Sequence, residues 1–139
     1  MAYSLGDPYR PFRTILRLNG IVVGWAFGLL LALLPRSTLA NAGLHDGGDI
    51  WPLRLAGVAF VSIGLLFILS AGARSFDLPV LVVCSVFHAL CALVLLLAYL
   101  QRELAHLSIG AQIILLIIFL LCLAGALAPM RYFRAEYQL

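Results

Sequence analysis

Four uninterrupted apolar stretches, Leu18 to Leu34, Leu55 to Ala73, Leu78 to Leu100 and Leu107 to Ala128, decide most of what this chain can become. Each has the roughly 17–25 residues that a helix needs to cross a hydrocarbon core about 30 Å thick. They are continuously apolar rather than alternating, and backbone groups in lipid must be bonded within their own segment, so the pattern predicts helices and no barrel. Composition points the same way. Of 139 residues, 64% are hydrophobic and 11% charged, against roughly 25% charged in a soluble domain. A small soluble fold still exposes about a third of its unfolded surface, which here would be oil in water.

The expected fold is all-α: an integral membrane, antiparallel, up-down four-helix transmembrane bundle. It forms a single transmembrane domain over residues 1–139, with helices at about 15–34, 54–73, 78–100 and 107–129 and an outer loop at 35–53. The short links Arg74 to Asp77 and Gln101 to His106 allow only antiparallel neighbours. Pro35 to Pro52, rich in Gly, Asn, Asp and Pro, reads as a turn-rich surface loop. Arg10, Arg13, Arg17, Arg74, Arg131 and Arg134 fall on the side of both termini, and Arg36, Arg54 and Arg102 on the other. The positive-inside rule then makes the termini cytoplasmic. Tyr9, Phe12, Tyr132 and Phe133 on the inner side and Trp51 on the outer fall where aromatic belts are expected. The arginines, apolar run and Ala40-Asn41-Ala42 imitate a secretory signal with its cleavage site, but the run exceeds the usual 7–15 residues or so, and the first helix is expected to be retained.

Gly20, Gly24, Gly28 and Ala32 recur every fourth residue in the first helix, and Gly57, Gly64 and Ala71 every seventh in the second. Lipid tails are as apolar as leucine, so helices in a bilayer associate by close backbone approach, and such small-residue faces permit it. These are the expected helix-packing residues; an intramolecular contact is the first expectation, because the chain must first pack itself, and in a larger complex the same faces are expected to dock against partner helices. Trp25, far from either interface, is expected to face protein rather than lipid. Ser62 and Gln112 can be satisfied by helix backbone or by the water boundary. Arg17 and Arg54 read as snorkelling side chains at helix ends. The run His45-Asp46-Gly47-Gly48-Asp49 reads as a turn rather than a ligand set.

His88 lies near the expected midplane, where an ionisable side chain is rare and is a functional-site hypothesis by default. Cys84 and Cys91 stand at i−4 and i+3 from it, on one helix face. Cys122 on the returning helix is expected at a depth between Cys84 and His88. The possible ligand cluster is thus His88, Cys84, Cys91 and Cys122, a set that could take zinc or copper. His88 alone could ligate a haem- or chlorophyll-like ring. The blander reading is a histidine hydrogen-bonded across the bundle with cysteines as apolar filler, and no metal or cofactor is expected. The odd cysteine count also argues against a disulfide framework.

A net charge of +3, carried by nine scattered arginines, is too thin for a nucleic-acid footprint. No nucleophile has a visible base and orienter, no carboxylate pair lies within a span, and no phosphate loop joins a strand to a helix, so no enzymatic activity is expected.

The tetrads Arg17-Leu18-Asn19-Gly20 and Arg54-Leu55-Ala56-Gly57, each opening a helix, complete a layout that resembles the DoxX-like and related uncharacterised families of short bacterial four-helix membrane proteins over nearly the whole chain. What the resemblance implies is company with electron-transfer systems of the membrane, and no site residue is carried over from it. The expected function is a non-catalytic accessory or assembly subunit of a larger complex in the bacterial cytoplasmic (inner) membrane, respiratory or photosynthetic. Its partners would be the lipid bilayer and other membrane subunits. Arg10, Arg13, Arg131 and Arg134 would anchor the cytoplasmic rim to anionic lipid or to a partner subunit, at about 1 kcal/mol per charge. The alternatives are a membrane-embedded cofactor, pigment or metal binder through His88, and a small carrier of lipid-soluble molecules.

Overall fold

The computed structural model describes residues 9–45, 47–73, 76, 78–130 and 132. Those residues form five helices and no strand. Four are long and apolar enough to cross a membrane: α1 (Arg10–Leu33), α3 (Trp51–Ser70), α4 (Leu78–Leu100) and α5 (Ile109–Leu127). The fifth is a short segment, α2 (Arg36–Asn41), within the stretch expected to be loop. This is a membrane protein by the length and composition of its helices. Side chains such as Leu33, Leu69 and Val94, at 73%, 66% and 63% exposed, would be costly in water and are at home in lipid.

The helix ends follow local chemistry. α1 starts earlier than expected because Pro11 stands in its first turn, where a missing N–H costs nothing. It stops at Leu33 because Leu34 precedes Pro35 and is driven into extended backbone, with ψ 142°. Pro52 likewise lets α3 begin at Trp51 rather than at Arg54. α5 opens on Ser108, whose hydroxyl accepts a hydrogen bond from the Ala111 amide at 3.3 Å.

Two helix ends share one motif and differ in one residue. At the end of α2 the Leu44 amide reaches the Leu39 carbonyl (2.9 Å) and the Gly43 amide reaches Ala40 (2.9 Å), with Gly43 at φ +79°. At the end of α4 the Glu103 amide reaches Ala98 (3.0 Å) and the Arg102 amide reaches Tyr99 (3.1 Å), with Arg102 at φ +60°. Both are Schellman ends, which prefer glycine in the left-handed position. An arginine there costs about 1–2 kcal/mol of backbone strain. The ends are tied together: the Ser108 amide donates to the Ala42 carbonyl (3.2 Å), and His106 Nε2 donates to the Gly43 carbonyl (3.2 Å).

Between Gly20 and Phe27, α1 is wound as a π-helix. In an α-helix a spacing of four overshoots a full turn by about 40°. The π-helix, with its i→i+5 bonds, takes more residues per turn and drifts the other way, which keeps Gly20, Gly24 and Gly28 facing α3. The contact is backbone to backbone. A Cβ added at Gly24 would lie 2.3 Å from the Gly64 Cα, at Gly28 2.8 Å from the Gly57 carbonyl oxygen, and at Gly57 2.7 Å from the Ala32 amide. The small-residue faces are thus consumed inside the chain, as first expected, and are not free to dock partner helices. Trp25 overturns its expectation: it is 43% exposed, because Gly24 beside it is the residue turned onto α3.

Two buried clusters hold the helix pairs together. One contains Phe12, Leu16, Phe67, Leu81 and Cys84; the other contains Val23, Ala92, Ile118 and Cys122.

Candidate functional site

His88 lies between these clusters on α4 and is fully buried. Its Nδ1 is 2.7 Å from the Cys84 carbonyl oxygen and 3.5 Å from Cys84 Sγ. A carbonyl can only accept, so Nδ1 is the donor and carries a proton; the bond closes one turn of α4 and does not cross the bundle as expected, because the carbonyl four residues back is within reach of the ring. Phe67 of α3 stacks on the imidazole (centroids 4.9 Å apart, planes 20° apart), and Phe87 meets it edge-on at 5.4 Å. The opposite side is closed by Gly125 of α5, where a Cβ would stand 2.7 Å from His88 Cδ2 and 3.0 Å from Nε2. Gly125 makes room for the histidine. Its role is visible only once α5 is laid against α4, since nothing near it in the sequence marks a contact.

The four candidate ligands separate into two pairs. Cys84 is with His88, while Cys91 packs against the cluster that contains Cys122. Cys122 therefore sits level with Cys91, not between Cys84 and His88 as expected. Gly125 fixes the register opposite His88, and Cys122 lies one turn further along. All three cysteines are free thiols. Among the described residues no three His, Cys, Asp or Glu side chains come close enough to hold a metal together. Structural zinc takes four such ligands. Ring ligation through Nε2 would need the space that Gly125 occupies.

Other polar side chains in the spans turn to backbone. Asn19, 1% exposed, donates to the Ile15 carbonyl (3.1 Å), Ser62 to Val58 (2.9 Å), and Ser85 across to Ala126 of α5 (3.1 Å). Gln112 donates to the Leu104 and Leu107 carbonyls, each at 3.1 Å, stitching the α4–α5 turn onto α5. Asn19 was legible only as part of a helix-opening tetrad. Its burial follows from its place between Leu16 and Val23 on the inward face of α1.

The end of the bundle near residue 10 differs from its expectation. Arg13 donates to the carbonyls of Ala71 (3.2 Å) and Ala73 at the end of α3, and its guanidinium lies 5.1 Å from the Phe76 ring centroid. Arg17 reaches the Ala71 carbonyl at 3.5 Å. These cations complement the negative end of a helix dipole. Ala71, at zero exposure, thus supplies a carbonyl as well as a small side chain. Phe12, Phe76, Tyr9 and Tyr132 pack on one another, with Tyr9 and Tyr132 stacked at 4.9 Å and Phe12 and Phe76 edge-on at 4.9 Å. Phe12 is an internal residue, not part of a lipid-facing belt, because α1 turns that face onto α3. Arg10 is exposed and Arg54 is exposed, whereas Arg74, Arg131, Phe133 and Arg134 lie outside the described residues.

At the other end, Trp51 is 63% exposed. Arg36 closes the loop after α2: its Nε donates to His45 Nε2 (3.0 Å), and its Nη2 donates to the Gly47 and Gly48 carbonyls, each at 2.7 Å. With Gly47 at φ +99°, this segment is the turn its glycines predict, and Asp46 lies outside the described residues. Two cavities lie near this end. One, of about 660 Å³, is at the α4–α5 turn; the other, of about 260 Å³, is under α2 beside Phe27, Leu39 and Ile114. His88 lines neither of them. Compared with protein-family models, curated proteins and solved structures, the chain matches none.

Proposed function

We propose that the protein is a non-catalytic accessory or assembly subunit of a larger complex in the bacterial cytoplasmic membrane, and that its role is carried by shape. One observation carries the reading. Asn19, Ser62 and His88 give hydrogen bonds to carbonyls one turn back on their own helices, and Ser85 gives one across to Ala126 of α5, so these donors are spent on backbone rather than offered to a ligand. A polar side chain bonded back to its own helix is satisfied locally, and of these four bonds that of Ser85 joins two helices.

In this proposal the helices run up and down, antiparallel, with both termini cytoplasmic. The reversed order of contacts, Gly20 with Gly64 and Gly28 with Gly57, supports the antiparallel pairing of α1 and α3. The arginine asymmetry supports the orientation. With the glycine faces buried, contact with other subunits falls to the exposed leucine, valine and isoleucine faces of α4 and α5. The DoxX-like resemblance supports an electron-transfer complex as the host.

The test is extraction from native membranes in a mild detergent, followed by native electrophoresis and spectroscopy of the band that holds the chain. The expected result is co-migration with a redox-active assembly whose abundance falls when the gene is deleted. Migration alone, with every assembly intact in the deletion strain, would contradict the proposal. Visible absorbance or bound metal that His88→Ala removes would instead favour the binder.

A further inference from the structure

We propose that the cavity at the α4–α5 turn is a binding site for a phospholipid with an anionic headgroup, its phosphate held by Arg102 and one acyl chain lying between the two helices. The volume of about 660 Å³ falls within the roughly 300–1,000 Å³ of small-molecule sites. Its lining is graded. Tyr99, Arg102 and Gln112 stand at the turn, and Leu95, Leu116 and Phe119 lie deeper. From Gln112 to Phe119 the groove descends about 10 Å along α5. An amphiphile with one polar end and one long apolar end matches that gradient.

Charge selects among amphiphiles. Among the described residues no hydrogen bond or ion pair occupies the Arg102 guanidinium, and the neighbouring acid, Glu103, is not part of the lining. A guanidinium presents a planar fork of donors that fits two phosphate oxygens. The Gln112 amide is already spent on the Leu104 and Leu107 carbonyls, so it fixes the wall rather than the head. The chain also places this cation where glycine would relieve the backbone: Arg102 has φ +60° at the left-handed position of the helix end, whereas the matching end of α2 carries Gly43. Arg102→Gly therefore separates folding from binding, since it suits the turn and removes only the cation.

The experiment uses the full chain in mild detergent, titrated with phosphatidylglycerol and with phosphatidylcholine of identical acyl chains and read by native mass spectrometry. The unaltered protein is expected to prefer phosphatidylglycerol by roughly fivefold to tenfold. Arg102→Gly and Arg102→Gln should both erase the preference, with a thermal midpoint unchanged or raised for the glycine variant. Leu116→Trp, which fills the apolar part, should weaken both lipids. Equal affinity for the two lipids in the unaltered protein, or a preference that survives in both Arg102 variants, would overturn the proposal.

Discussion

The two long helix pairs are joined in different ways. α1 and α3 meet backbone to backbone: a Cβ at Gly64 would stand 2.7 Å from the Gly20 carbonyl oxygen and from the Gly24 Cα alike. α4 and α5 meet through side chains: His88 fills the space over Gly125, Ser85 bonds to the Ala126 carbonyl, and Cys91 packs against the cluster that contains Cys122. In lipid, burying leucine against leucine gains little over leaving it against acyl chains. A helix pair must therefore gain dispersion through close approach or satisfy polar groups across the contact. This chain uses one solution in each pair, which makes the first intolerant of added atoms and the second sensitive to lost ones.

That difference can be broken deliberately. The largest effect is expected for Gly64→Leu, whose side chain has nowhere to go between two backbones. It should cost more than the roughly 1–3 kcal/mol typical of overpacking and abolish the folded monomer, read as loss of a cooperative unfolding transition in detergent. Next comes His88→Ala, which removes a buried ring from between Phe67 and Gly125 and should cost about 2–4 kcal/mol. Gly125→Ala sharpens this. Alone it should cost about 1–3 kcal/mol by colliding with the imidazole, and in the His88→Ala background much less, a coupling that a double-mutant cycle measures. Equal costs in both backgrounds would mean that the contact does not hold the pair. Arg13→Gln comes third. The end of α3 loses charged hydrogen bonds to Ala71 and Ala73, which should cost about 1–2 kcal/mol by equilibrium unfolding. Smallest is Ser62→Ala: the hydroxyl is exposed and bonds only to its own helix, so the change should stay within about 0.5 kcal/mol.

Periodicity in the sequence reached as far as features written within one helix. The four spans were legible from run length, and the α1 packing face from glycines at a spacing of four. The special standing of His88 was legible from an ionisable residue inside an apolar run, but its hydrogen bond, expected across the bundle, runs instead to the Cys84 carbonyl of its own helix. What depended on two helices at once was not. Gly125 gains meaning only from the ring opposite it, and the Cys122 depth was misplaced by about a turn because the register of α5 on α4 is set there and not by residue counting. Trp25 turned outward because its neighbour Gly24 claimed the contact. The π-helix of α1 and the left-handed Arg102 had no local signature, since both are backbone states imposed by packing and by a helix end that asks for glycine. Short α2 was hidden because Pro35 and Gly43, read as loop punctuation, start and stop a single helical turn and a half.

The account turns on α1 and α3 touching through backbone, and a matched pair of glycine-to-alanine changes tests it. Gly24 has the Gly64 Cα 2.3 Å from where a methyl would go, whereas Gly110, in the first turn of α5, has nothing within 4 Å. Thermal unfolding of the two variants in the same detergent should shift in opposite directions. Gly110→Ala should hold or raise the midpoint, by the roughly 0.5–1 kcal/mol that alanine gains over glycine in a helix, and Gly24→Ala should lower it by several degrees. Two midpoints that rise together would show that the helices do not meet at Gly24, and the close-packed pair would have to be abandoned.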